Sequence, residues 1–166
     1  MSVPEFRRRG YITLEELKAL GLVPPEERLR KGPVAILECP EEIPCNICVD
    51  ACPAKAIEMD GICGIPRVRW DRCIGCATCV AMCPGLAAFV VDLSRAHEGR
   101  AYVYLPHEFL PRPQPGDVVK LLDRSGQIVG EGRVVEVREW NRTLVVKVEV
   151  PPDLAMEVRA IWVEKR

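Results

Sequence analysis

The chain is poor in the groups from which most catalytic sites are built. Among 166 residues it has two histidines, His97 and His107, with two Asn, two Gln and three Ser. It contains no glycine-rich phosphate loop, and no Ser/His/Asp set can be assembled, so the expected catalytic residues are none and the chain is read as non-catalytic alone. Both histidines lie outside the cysteine-rich region and are read as surface or strand-end residues. No stretch approaches the ~20 apolar residues of a membrane span; the longest apolar run, Leu86 to Val91, is strand-sized. Arg7-Arg8-Arg9 has no apolar run behind it, so no secretory leader is expected. The implied compartment is a reducing cytoplasm that keeps thiols free for metal. Charge of one sign is also missing, with 23 bases against 24 acids. A nucleic-acid binder would show a clearer basic face, so neither nucleic acid nor a membrane is an expected partner. Few amides beside 15 prolines and many charges suggest a thermophilic source. A GC-rich genome would also raise Arg and Pro.

Three segments differ in character. Residues 1–38 form an arm with a short helix. Thr13 and Glu16 make a capping box, Leu14, Leu17 and Leu20 share a face, and Gly21 ends it. Pro24-Pro25 then breaks the chain, and residues 33–37 read as a strand. Residues 38–92 hold eight acids against four bases, and a cysteine loop followed by a short strand occurs twice within 39–92. The strands are expected at 55–59 and 87–92, with another at 68–70. So few apolar residues cannot fill a core, so metal centres are expected to serve as one. Residues 100–166 are β-branched and partly alternating, with strands expected at 118–122, 128–129, 133–137, 144–150 and 158–163. Turn signals at 115–117, 124–126 and 140–142 separate them. Short, closely spaced strands point to a small antiparallel β-barrel-like domain. The boundary is placed at the polar stretch 93–100.

The chain has nine cysteines. Residues 73–84 read Cys73-Ile-Gly-Cys76-Ala-Thr-Cys79-Val-Ala-Met-Cys83-Pro84. Three thiolates at three-residue steps, then a fourth before proline, form an iron–sulfur ligand run. An altered copy lies upstream, Cys45-Asn-Ile-Cys48-Val-Asp-Ala-Cys52-Pro53. Soft sulfur ligands suit iron–sulfide units. Zinc sites pair their cysteines across a longer loop, an arrangement not present here. The first position of the upstream run, three residues before Cys45, is Glu42. Cys39 is the nearest substitute, and the intervening Pro-Glu-Glu-Ile-Pro can loop out. Cys63 is read as a small buried hydrophobe in the link between the repeats, with a ligand role as the alternative. A three-iron cluster, or an oxygen ligand from Glu42, also stays open. Ile47, Val49, Ile57, Ile74 and Val80 are expected to exclude water, Trp70 to cover the cluster region, and Gly75 to allow close approach of backbone to a cluster.

On these runs residues 39–92 resemble a bacterial ferredoxin with two [4Fe-4S] clusters. The second run matches fully and the first in three of four positions. The resemblance implies an α+β fold of βαββαβ type, with the fourth cysteine of each run crossing to the other cluster. One cluster, A, would then use Cys39, Cys45, Cys48 and Cys83. The other, B, would use Cys52, Cys73, Cys76 and Cys79.

More loosely, an arm, a ferredoxin unit and a β domain together resemble the iron–sulfur subunits of multi-subunit flavin-dependent dehydrogenases, such as those oxidising proline. The implied role is a hetero-oligomeric electron-transfer subunit taking single electrons from a flavoprotein dehydrogenase. The alternatives are a free-standing ferredoxin, and a binding or regulatory protein whose β domain recognises a ligand through Tyr102, Tyr104, Phe109, Trp140 and Trp162.

Overall fold

The computed structural model describes residues 3–165. The arm forms three short helices, α1 (Glu5–Arg9), α2 (Leu14–Ala19) and α3 (Glu26–Lys31). Helix α2 carries the expected capping box: the Thr13 side chain accepts from the Glu16 amide, and the Glu16 carboxylate accepts from the Thr13 amide. Leu17 is fully buried with Ile12 and Leu22, and this small core reaches Ile65 in the link between the two cysteine runs. Leu20, expected on the same face, is exposed.

From β1 (Val34–Leu37) the elements run α4 (Ile47–Ala51), β2 (Ile57–Glu58), β3 (Arg67–Val68), α5 (Thr78–Met82) and β4 (Ala88–Asp92). Strand β1 pairs antiparallel with β4, and β2 with β3. The remaining strands are β5 (Ala101–His107), β6 (Val118–Leu122), β7 (Ile128–Trp140), β8 (Thr143–Val150) and β9 (Ala160–Trp162). They join β1 and β4 in one seven-stranded antiparallel sheet of order β1-β4-β5-β8-β7-β6-β9.

The barrel-like domain expected for residues 100–166 therefore does not form. Its strands extend the sheet begun by β1 and β4, and the sheet stays open, with β1 and β9 at its edges. The link is β5, which pairs with β4 on one side and β8 on the other. Nothing in the sequence reading placed a strand there. Pro106 near its end argues against a central strand, and Tyr102 and Tyr104 read equally well as ligand-binding aromatics. Both tyrosines are buried, with the Lys147 ammonium 4.7 and 5.3 Å from their ring centres. The two segments expected at 128–129 and 133–137 are one long strand, β7. Its first part pairs with β6 and its second with β8, and a bulge at Val134/Glu136 bends it between them.

Alternation along the shared strands serves two cores. Val34, Ile36, Phe89, Val91, Val103, Leu105, Val146 and Val148 face one, where Val119, Leu121, Val134 and Ile161 close over them. Ala35, Leu37, Ala88, Val90, Tyr102, Tyr104 and Val145 face the other, against α5 and the cysteines. The curl brings β7 close enough to β8 that a Cβ on Gly132 would lie 2.6 Å from the Glu149 carbonyl oxygen.

A buried ion triad ties the end of β1 to the far half of the sheet. Arg124, in the β6–β7 turn, donates to Glu38 at 2.6 Å, and Arg159 donates to it at 2.8 Å. All three side chains are under a tenth exposed. Burial alone would raise the Glu38 carboxyl, but Arg159 and Arg124 outweigh it and hold it below the usual carboxylate range. Burial also pulls the Arg159 guanidinium down, yet a guanidinium stays protonated at any accessible pH, so the triad is ionised. Removing one member of a buried pair costs about 3–5 kcal/mol because the remaining charge is stranded. Glu38→Ala is expected to lose that much in chemical denaturation of the full chain, whereas Glu41→Ala, in an exposed pair with Arg7, should lose far less.

His107, expected at a strand end, ends β5 but is buried, against the edge of Phe109. Burial lowers its pKa, outweighing backbone hydrogen bonds at Pro111 and Phe109 that raise it. The unfolded chain then binds the proton more tightly, so stability is present above the ordinary histidine value of about 6.5 and is lost as pH falls towards the lower folded value. Melting temperature should drop between pH 7.5 and 5.5, and His107→Leu should shrink that drop. An equal drop in both proteins would show that His107 is not its source.

Candidate iron–sulfur sites

The two cysteine runs fold alike where they leave their last cysteine. Cys52-Pro53 and Cys83-Pro84 each lead, two residues on, to a non-glycine residue in the left-handed region, Lys55 and Leu86. That turn aims the next amide back at the thiol, so Ala56 N–H donates to Cys52 Sγ at 3.3 Å and Ala87 N–H to Cys83 Sγ at 3.4 Å. The expected role of the two prolines as turn-formers agrees with this geometry.

Eight cysteines line two cavities. Cys39, Cys45, Cys48 and Cys83 surround one of about 230 Å³, walled by Leu37, Ile43, Pro66 and Ala88. Cys52, Cys73, Cys76 and Cys79 surround a tighter one of about 20 Å³, walled by Ala35, Ala56, Ile57 and Ala77. These are the two sets that the ferredoxin rule of crossed fourth cysteines implies. Burial pushes the Cys48 thiol up to about 11, with repulsion from Cys83, Cys39 and Cys45 adding to it. Burial pushes Cys79 up to about 12, helped by Cys73, Cys76, Cys52 and Cys48. Cys39 is likewise raised, by burial first and then by Cys83. Thiols this hard to ionise alone need a cation to displace their protons. Among the described residues no three His, Cys, Asp or Glu side chains converge as they would on a single ion; a cluster of several irons sets its thiolates further apart.

Helices α4 and α5 pack against each other, and their cysteines Cys48 and Cys79 bring the two sets side by side. Both alternatives for the missing ligand lie elsewhere. Cys63 and Glu42 line an open groove with Asp60, Ile62 and Arg67. Cys63 is exposed, which corrects its reading as a buried hydrophobe: the turn at Gly61–Gly64 projects outward instead of packing on the link.

The water-excluding shell is only partly as expected. Val80 and Ile57 are buried and Val49 is half-buried, but Ile47 and Ile74 are exposed. Trp70 lines neither cavity and packs with the first core. Gly75 is needed for a different neighbour from the one expected. It has φ of +65°, and a Cβ there would lie 2.4 Å from the Pro33 carbonyl oxygen, so the glycine lets the Cys73–Cys76 loop press on the start of β1. The loop is held by Arg28, which the sequence reading did not single out. Its guanidinium donates to the carbonyls of Trp70 (2.8 Å), Gly32 (3.1 Å), Pro33 (3.2 Å) and Cys73 (2.8 Å). No sequence motif marks it, because its partners are backbone atoms.

Residues 43–87 match the 4Fe-4S dicluster domain family. Over 48 residues the chain is 44% identical to protein NrfC of Escherichia coli, a match spanning 29% of this chain and 22% of that protein. It is 40% identical over 53 residues to the polyferredoxin-like subunit of the aliphatic sulfonate oxidoreductase of Pyrococcus furiosus, spanning 32% of this chain and 28% of that subunit. An uncharacterized ferredoxin of Methanocaldococcus jannaschii is 29% identical over 126 residues, 74% of this chain and 76% of its own. The chain thus spans about a fifth of NrfC and most of the archaeal ferredoxin. No solved structure matches it. Residues 43–87 thus carry a 4Fe-4S dicluster ferredoxin domain.

Iron content of single variants tests the ligand sets. Cys39→Ser should lower iron in the anaerobically purified protein or turn one cluster into a three-iron form, whereas Cys63→Ser should leave iron unchanged. The reverse pattern would move the eighth ligand to Cys63.

Proposed function

We propose that this protein is the electron-transfer subunit of an oxidoreductase complex. It would hold two [4Fe-4S] clusters, one on Cys39, Cys45, Cys48 and Cys83 and one on Cys52, Cys73, Cys76 and Cys79. The observation that carries the reading is the sorting of eight cysteines into two adjacent four-cysteine cavities. A bound [4Fe-4S] cluster supplies storage for one electron at a time. The chain's own residues do the rest. The thiolates hold the metal, and the amides of Ala56 and Ala87 steady Cys52 and Cys83. Buried Val80, Ile57 and Ala35 exclude water from the inner side. Helices α4 and α5 set Cys48 of one site near Cys79 of the other.

The electron donor in this reading is a flavoprotein dehydrogenase, and the arm and the far half of the sheet are docking surfaces. Its support is organisational: much of the chain lies outside the dicluster domain, and one relative is named as a subunit of an oxidoreductase. A free-standing ferredoxin is the second reading, favoured by the archaeal ferredoxin that matches most of the chain. Among the described residues no helix is long and apolar enough to cross a membrane.

Anaerobic capture of the tagged chain from its native host, with flavin and iron assayed in the eluate, separates the two. Co-elution with a flavoprotein at fixed stoichiometry is the expected outcome. Elution alone with about eight irons, as two four-iron clusters require, would establish the free ferredoxin instead.

A further inference from the structure

The backbone treats the two cysteine sets nearly alike. Ala56 N–H reaches Cys52 and Ala87 N–H reaches Cys83. Ala35 N–H donates to Cys73 Sγ at 3.3 Å, and the Glu41 amide serves Cys39 in the other set. Side chains break this symmetry in two places. Thr78 Oγ1 lies 3.2 Å from Cys76 Sγ. Once Cys76 is a metal-bound thiolate it can only accept, so Thr78 donates. The matching position of the first run, two residues after Cys45, is Ile47, which has no donor.

The second difference is Arg28. It touches the Cys73 carbonyl and forms no ion pair among the described residues, spending all four hydrogen bonds on backbone oxygens. Several other charges near the two sites are paired. Near Cys39, Glu41 is paired with Arg7 and Glu38 with Arg124 and Arg159, with Glu157 beside Arg124. Near the second run, Arg69 and Arg72 are paired with Glu58 and Asp71.

We propose that the two sites are electrically unequal: Thr78 and Arg28 make the Cys52/Cys73/Cys76/Cys79 site the one of higher potential, where a single electron rests. Reduction adds one negative charge. A hydroxyl aimed at a ligand sulfur and an unopposed guanidinium both favour the more negative state. Deeper burial of Cys79 opposes this, since a low dielectric disfavours added charge. The site has no carboxylate in its wall, and Thr78 and Arg28 outweigh burial because both act within contact distance of its ligands, Cys76 and Cys73. Thr78 and Arg28 are positioning residues here, acting through the ligands.

The inference rests on the ligand sets of the proposed function, and the test separates the two. The full chain, purified anaerobically, is assayed for iron and titrated with dithionite under electron paramagnetic resonance. Cys39→Ser marks which signal belongs to the other site. Two midpoints are expected, the higher one surviving unchanged in Cys39→Ser. Thr78→Val, nearly isosteric, should lower the higher midpoint alone, and Thr78→Ser should restore it. Arg28→Gln should lower the same midpoint, and Arg28→Lys should lower it less. Ile47→Thr should raise the lower midpoint. Full iron with Thr78→Val unshifted, or with both midpoints moved equally, would overturn the inference and leave the ligand sets standing. Iron well short of eight in the parent protein would overturn both.

Discussion

Everything in this fold hangs on the three strands β1, β4 and β5, which are covered on both faces. A sheet covered twice needs apolar residues at every position, and β1 and β4 are buried along their whole length. One face closes under the curled far half of the sheet; the other is the floor beneath the cysteine loops. The cysteine region therefore does not rely on metal alone for a core. It borrows part of one from Tyr102 and Tyr104 on β5 and from Val145 on β8, strands that follow β4 in the chain. That is why a segment with so few apolar residues of its own can hold eight thiols in two ordered sets.

The chemistry was legible in the sequence because thiolate spacing is itself the geometry. Cysteines at three-residue steps stay close to one another along a short loop, so the runs could be picked out without a sheet. Helix α2 was legible for a similar reason, since Thr13 and Glu16 satisfy each other locally. Residues whose partners lie far away were opaque. Arg28 and Arg124 are two arginines among many, and only the folded chain shows that one grips four carbonyls and the other Glu38. Strand β5 escaped because its proline and tyrosines suggested a turn or a binding surface, while its real determinant is the pair of neighbours that cover it. A barrel was expected because short strands at close spacing do not reveal whether the last one pairs with the first.

The arm and the β region both hold the cysteine loops. Arg28 holds the loop of the second run against β1, and Arg124 with Arg159 holds Glu38, the residue before Cys39. Each set of thiols thus has a buried or half-buried arginine controlling the backbone at its edge. In one case the arginine is neutralised and the effect is mechanical; in the other it is not, and its charge is left to act on whatever the thiols hold.

The continuous sheet also limits how such a protein can be taken apart or assembled by evolution. A fragment ending at Asp92 would expose the long, apolar flank of β4 and the inner faces of Ile36 and Phe89, an invitation to edge-to-edge aggregation. The dicluster unit is thus no cassette that can be lifted out of this chain intact. Any shorter ferredoxin built on the same cysteines must cap that flank by other means, with a charged edge, a shorter strand or a second copy of itself.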